Sequence, residues 1–208
     1  MSSLWQIGLA EFRDRTASDA PTPGGGSAAM VSATIGLGLV IMALRVSARR
    51  ADRPESLTPL IDKGDRLLNE LSEHADADIA VFEAYMDALK LPRDSDTDKE
   101  VRRQRLAEAA VAATEVPLNA AQSTLEALDL ARQAMDVAHK SIVSDAGAGG
   151  AILHGALTAV LYNVDINLGS IRDERDAESY RTSREHLQDA ADGRHKVIRK
   201  LMAERLSD

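Results

Sequence analysis

Residues 27–46, SAAMVSATIGLGLVIMALRV, and residues 149–168, GGAILHGALTAVLYNVDINL, constrain this chain more than any other feature. Both segments are apolar nearly all round and rich in Gly, Ala, Ser and Thr. A helix that is apolar on every face is buried on every face, and small residues let two backbones approach closely. The two segments are therefore expected to pack as the central pair of a helical bundle. The long apolar run from Ala28 to Leu44 is broken by Ser32, Thr34, Gly36 and Gly38. It stands at the short end for crossing a bilayer, so the reading is a buried helix and not a membrane span.

Amphipathic segments surround this pair in the sequence. Prolines 21, 23, 54, 59, 92 and 117 fall between periodic stretches or at their starts, where a ring-locked residue without an N–H is tolerated. The pattern predicts helices over about 3–16, 27–50, 57–90, 98–140 with a break near Pro117, 146–171 and 176–206. The last carries an apolar stripe of Tyr180, Leu187, Ala191, Val197 or Ile198, and Leu201. No stretch alternates as a strand does. The fold class expected is all-α: a multi-helix bundle with two small-residue-rich central helices ringed by amphipathic ones, in one domain over residues 1–208. Aromatic residues at only 3% count against a β-sandwich or barrel.

Composition excludes several functions. Without cysteine there is no disulfide, thiolate nucleophile or thiolate metal site. The five histidines are scattered without ligand spacing, so no metal is expected. A net charge of −8 repels a phosphate backbone, which argues against nucleic acid as a partner. The N-terminus, MSSLWQ, lacks a basic n-region, and the expected compartment is the cytoplasm.

Five sites could carry chemistry. The 57–90 helix has a seam through Leu57, Gly64, Leu67, Leu71, Ala75, Phe82 and Leu89, and steps of three and four place Asp78 in it. A carboxylate there needs an Arg partner, a hydrogen-bond network or a catalytic role. Asp76 lies about 200° round the helix and reads as solvated. Asn163 and Asn167 share an inward face and serve either helix–helix hydrogen bonding or a polar ligand wall. Ser144 and Asp145 either cap the following helix or act in a site. The segment Pro21-Thr22-Pro23-Gly24-Gly25-Gly26-Ser27 is a stiff turn, a glycine loop and an expected N-cap at Ser27. It either lets a helix enter the core or turns backbone N–H groups toward an anion. Arg45, Arg49, Arg50 and Arg53 complement the end of the first central helix or hold an acidic ligand tail.

In order along the chain, Pro-Thr-Pro-Gly-Gly-Gly-Ser at 21–27, Asp78 with Phe82, Lys90-Leu91-Pro92, Val116-Pro117, Ser144-Asp145 and Asn163-Val164-Asp165-Ile166-Asn167-Leu168 resemble the cyclodeaminase/cyclohydrolase family. The chain departs from the family pattern at Arg45-Val46-Ser47-Ala48-Arg49-Arg50, where Asn-Leu-Thr and a Gly-Lys-Lys run are usual. The resemblance implies an all-helical homodimeric enzyme with a tetrahydrofolate derivative as substrate and no permanently bound cofactor. The implied reaction is hydrolysis of 5,10-methenyltetrahydrofolate to 10-formyltetrahydrofolate. Cyclisation of 5-formimidoyltetrahydrofolate with loss of ammonia is the alternative, and a non-catalytic binding bundle the contrasting class. Carried over by motif, Asp78 is the first choice for the catalytic carboxylate and Asp145 the second. Gly24, Gly25, Gly26, Ser27, Ser144, Asn163 and Asn167 would shape the substrate site, and Arg49 or Arg50 would hold the glutamate tail.

Overall fold

The computed structural model describes residues 3–207. A 3-10 turn at Leu4–Gln6 and a short helix α1, Leu9–Thr16, precede five long helices. These are α2 (Gly25–Ala48), α3 (Thr58–Lys90), α4 (Asp96–Val137), α5 (Val143–Leu168) and α6 (Glu174–Ser207). Helices α3, α2, α5 and α6 lie side by side in that order, and α4 runs across one side of the layer, touching all four. Among the described residues there is no strand, as expected.

The central pair forms for the reason its composition gives. Helices α2 and α5 run antiparallel, and Gly36 and Gly149 meet where they cross. A Cβ on Gly149 would stand 2.4 Å from the Gly36 carbonyl oxygen, so the backbones sit closer than alanine would allow. Met30, Leu37, Ile41, Leu44, Leu153, Leu157 and Leu161 are fully buried around that contact. Both helices are long and apolar enough to cross a membrane by length and composition alone, and both supply the bundle core.

The structure corrects four expectations. The central helices are not buried on every face. On the side away from α4, Ile35, Met42, Tyr162 and Ile166 are 53%, 38%, 61% and 79% exposed. The break near Pro117 is absent, because α4 continues through that proline. The first predicted helix is two pieces parted by Gly8, which caps α1. Asp76 is not solvated: it accepts hydrogen bonds from Ser3 Oγ at 2.6 Å and Leu4 N at 2.8 Å, tying the N-terminal turn to α3. The last helix buries Leu187, Ala191 and Ile198, which matches its stripe, while Val197 faces solvent.

Candidate active site

Asp78 sits at the N-terminal end of α2 although it belongs to α3. Helix α2 begins two residues before the expected cap: Gly24 is the N-cap and Ser27 lies in the first turn. The Ser27 backbone N–H donates to Asp78 Oδ2 at 2.8 Å and the Ser27 hydroxyl donates to the same oxygen at 2.6 Å. Asp78 thus caps α2 from outside, where the unpaired first-turn N–H groups and the helix dipole favour a negative charge. No arginine pairs with it among the described residues. Of the alternatives open to a carboxylate in a seam, the structure selects the hydrogen-bond network.

The other carboxylate oxygen, Oδ1, accepts one longer hydrogen bond, from Asn163 Nδ2 at 3.3 Å. This crossing leaves no room at Gly26. A Cβ there would lie 2.0 Å from Asp78 Oδ1 and 2.2 Å from Asn163 Nδ2. Close approach of α2 to two side chains thus accounts for the glycine at position 26.

A cavity of about 380 Å³ opens beside Asp78. The 21–26 loop, Asp78, Asn163 and Asn167 form one part of its wall, and Val81, Phe82, Tyr85, Met86 and Ile166 the apolar part. No lysine, arginine or histidine lines it. The α3 seam changes character at Asp78: before it, Leu67, Leu71 and Ala75 are core, whereas Phe82 and Met86 are each 37% exposed and line the cavity. The periodicity of α3 marked Phe82 as apolar but could not separate core from cavity wall.

Asn167 has a second task. Pro117 has no N–H, so the carbonyl of Ala113, four residues earlier in α4, loses its helical donor. Asn167 Nδ2 donates to that oxygen at 2.7 Å. The proline is accommodated without a helix break because an amide from α5 replaces the missing donor. Each asparagine thus bonds another helix, and each lines the cavity.

The remaining sequence candidates lie elsewhere. Ser144 and Asp145 are in the first turn of α5, and the N-cap is Ile142, so neither caps the helix as expected. Asp145 is about 27 Å along the helix axis from Asn163. Arg49 is the C-cap of α2, about 33 Å from Ser27 along the axis. Arg50 Nη1 donates to Ser141 Oγ at 2.8 Å and meets His139 Nδ1 at 3.2 Å. Arg45 pairs with Asp65 at 2.7 Å. The antiparallel packing of α2 and α5 thus separates the candidates into two ends. Gly24, Gly25, Gly26, Ser27, Asp78, Asn163 and Asn167 come together. Arg49, Arg50, Ser144 and Asp145 do not join the cavity of the same chain, and Asp165 is turned away into a two-point ion pair with Arg184 at 2.8 and 2.9 Å.

A helical bundle that directs a carboxylate and two amides into a cavity with one apolar side defines the class: an all-helical protein with a small-molecule site. The family model of formiminotransferase-cyclodeaminase matches residues 8–186, and the chain belongs to that family. It is 32% identical over 170 residues to a methenyltetrahydrofolate cyclohydrolase of Methylorubrum extorquens, covering 80% of this chain and 82% of that one. It is 29% identical over 156 residues to the formimidoyltransferase-cyclodeaminase of Gallus gallus, covering 74% of this chain but only 29% of that larger protein. The fold matches that of a formiminotetrahydrofolate cyclodeaminase from Thermotoga maritima, with a TM-score of 0.86 at 21% identity over 98% of this chain and all of the other.

Proposed function

We propose that the chain hydrolyses 5,10-methenyltetrahydrofolate to 10-formyltetrahydrofolate, with Asp78 as the acid–base group. One observation carries the reading: the cavity offers a carboxylate held by Ser27 and Asn163 and no competing cation. The substrate is a cation whose charge is shared over N5, the bridging carbon and N10. An adjacent carboxylate stabilises that charge before water adds. Phe82 and Tyr85, among the few aromatic residues of the chain, supply apolar surface for the ring system.

Water adds to the bridging carbon, and one of its protons passes to Asp78 as the C–O bond forms. The neutral carbinolamine then loses its hydroxyl proton while N5 gains one, the carbon–N5 bond breaks, and the formyl group stays on N10. The net products are 10-formyltetrahydrofolate and one proton. The cyclohydrolase direction is preferred to the cyclodeaminase reaction because the 32% identical relative, matched over most of its own length, is named for it. The cyclodeaminase reaction works on the same bridging carbon and is the second reading.

Purified protein should remove the absorbance of methenyltetrahydrofolate in a single-substrate assay, with no bound cofactor needed. No turnover of this compound together with release of ammonia from the formimidoyl compound would move the reading to the cyclodeaminase reaction. Activity abolished by a chelator and restored by a divalent ion would overturn the cofactor-free form of the proposal.

The proposal includes a homodimer joined through the open face of α2 and α5. The outward positions Ala28, Ser32, Ile35, Leu39, Met42 and Val46 follow a spacing of three and four and carry no charge. An uncharged, mainly apolar stripe of this kind marks an interaction surface. Ile166 lies both on this side and in the cavity wall, so a second copy seated there would also screen the cavity.

A further inference from the structure

Resting on the folate reading, we infer that Asn163 and Asn167 select the hydrogen-bond-donating edge of the ligand's heterocycle, the exocyclic amine and neighbouring ring N–H of a reduced pterin. The side-chain amides are oriented by oxygen partners that accept from them. A backbone carbonyl takes the Asn167 Nδ2–H, and a carboxylate oxygen of Asp78 takes the Asn163 Nδ2–H. Each Oδ1 is therefore turned from its contact. Among the described residues neither Oδ1 receives a protein hydrogen bond, and neither is a sealed unpaired atom. Both residues line the cavity, so two free acceptors four positions apart on α5 face a ligand.

The cavity's other groups sharpen the preference. Asp78 adds a third acceptor, and no cationic side chain is present. Donors in the wall are the second N–H of each asparagine amide, the rotatable hydroxyls of Thr22 and Tyr85, and the first-turn N–H groups of α2. An anionic group has no cationic partner among the side chains of this wall. A heterocycle rich in N–H groups satisfies both amide oxygens, whereas one lacking them leaves these acceptors desolvated and unpaired, which is the strong form of discrimination. The orientation of Asn167 does not depend on the ligand, because Pro117 fixes it from α4.

The test compares tetrahydrofolate with its 2-desamino-2-methyl analogue, which has the same net charge and nearly the same shape. Titration calorimetry is run on the wild-type chain, on Asn163→Ala, and on Asn167→Ala in a Pro117→Ala background, where a backbone donor to Ala113 is restored. Wild type should bind tetrahydrofolate about 10-fold or more tighter than the analogue. That ratio should shrink toward one in at least one asparagine variant, while apolar binding persists. Equal affinities in wild type, or an unchanged ratio in both variants, would overturn the assignment with the folate reading intact. Failure of wild type to bind either compound would remove the folate reading and this inference with it.

Discussion

At the scale of single residues, Asp78 has two jobs that substitution can separate. Asp78→Asn retains an oxygen that can accept from Ser27, so the cap on α2 survives, but the charge and the proton-transfer capacity are lost. Turnover should fall roughly 10²–10⁴-fold while the melting temperature changes little; a variant that keeps its rate would remove Asp78 from the chemistry. Gly26→Ala acts from the other side of the same contact. Alanine is the better helix former, yet its Cβ would overlap both Asp78 and Asn163. It should lower both stability, by about 1–3 kcal/mol, and activity, read by thermal melting and the absorbance assay. Asp76→Asn tests a quieter role. It weakens the tie to Ser3 and Leu4 and should cost about 1 kcal/mol without altering turnover. Asp78 was legible in the sequence because a carboxylate interrupted an apolar period. Its partners were not, since nothing in a linear period shows that Ser27 and Asn163, 51 and 85 positions away, converge on it.

At the scale of helices, the α4–α5 contact turns an apparent helix breaker into a structural lock. In the native background, Asn167→Leu strips the side-chain donor from the Ala113 carbonyl and should cost about 1–3 kcal/mol. With Pro117→Ala in place, residue 117 regains an N–H and the same change should cost less. The coupling between the two sites should be about 1 kcal/mol by denaturant titration; equal losses in both backgrounds would show that the contact holds nothing. Here the sequence misled for a physical reason. A proline inside a periodic stretch is rightly read as a break when only its own helix is considered, and the replacement donor comes from a different helix. The two small-residue helices were legible as a pair because their composition permits the close approach of Gly36 and Gly149. Their fourth side was misjudged, because a stripe that faces water and a stripe that faces protein have the same apolar composition.

For the whole molecule, the open face of α2 and α5 makes a measurable claim. Light scattering should report twice the mass of one chain for wild type. Ile35→Asp, placing a charge in the middle of the apolar stripe, should give monomers that remain helical by circular dichroism. A wild-type monomer would set the dimer aside. The two ends of the bundle also differ in a way the motifs did not disclose. The motif order is one-dimensional, while the antiparallel pair sends Gly24–Ser27 and Asn163 to one end and Arg49, Arg50, Ser144 and Asp145 to the other.

The assembly of the cavity has a consequence for how the chain reaches its native state. Its three polar hydrogen-bond links join residues 51, 54 and 85 positions apart, drawing on α2, α3, α4 and α5. No local fragment contains the site, so a ligand that fits it recognises only chains in which all four helices have docked. Such a ligand acts as a clasp on the finished topology and raises the melting temperature by mass action. Because these long-range closures form slowly relative to local helices, binding competence during refolding should lag behind the recovery of helical signal, and the interval between the two measures how long the helices wait for one another.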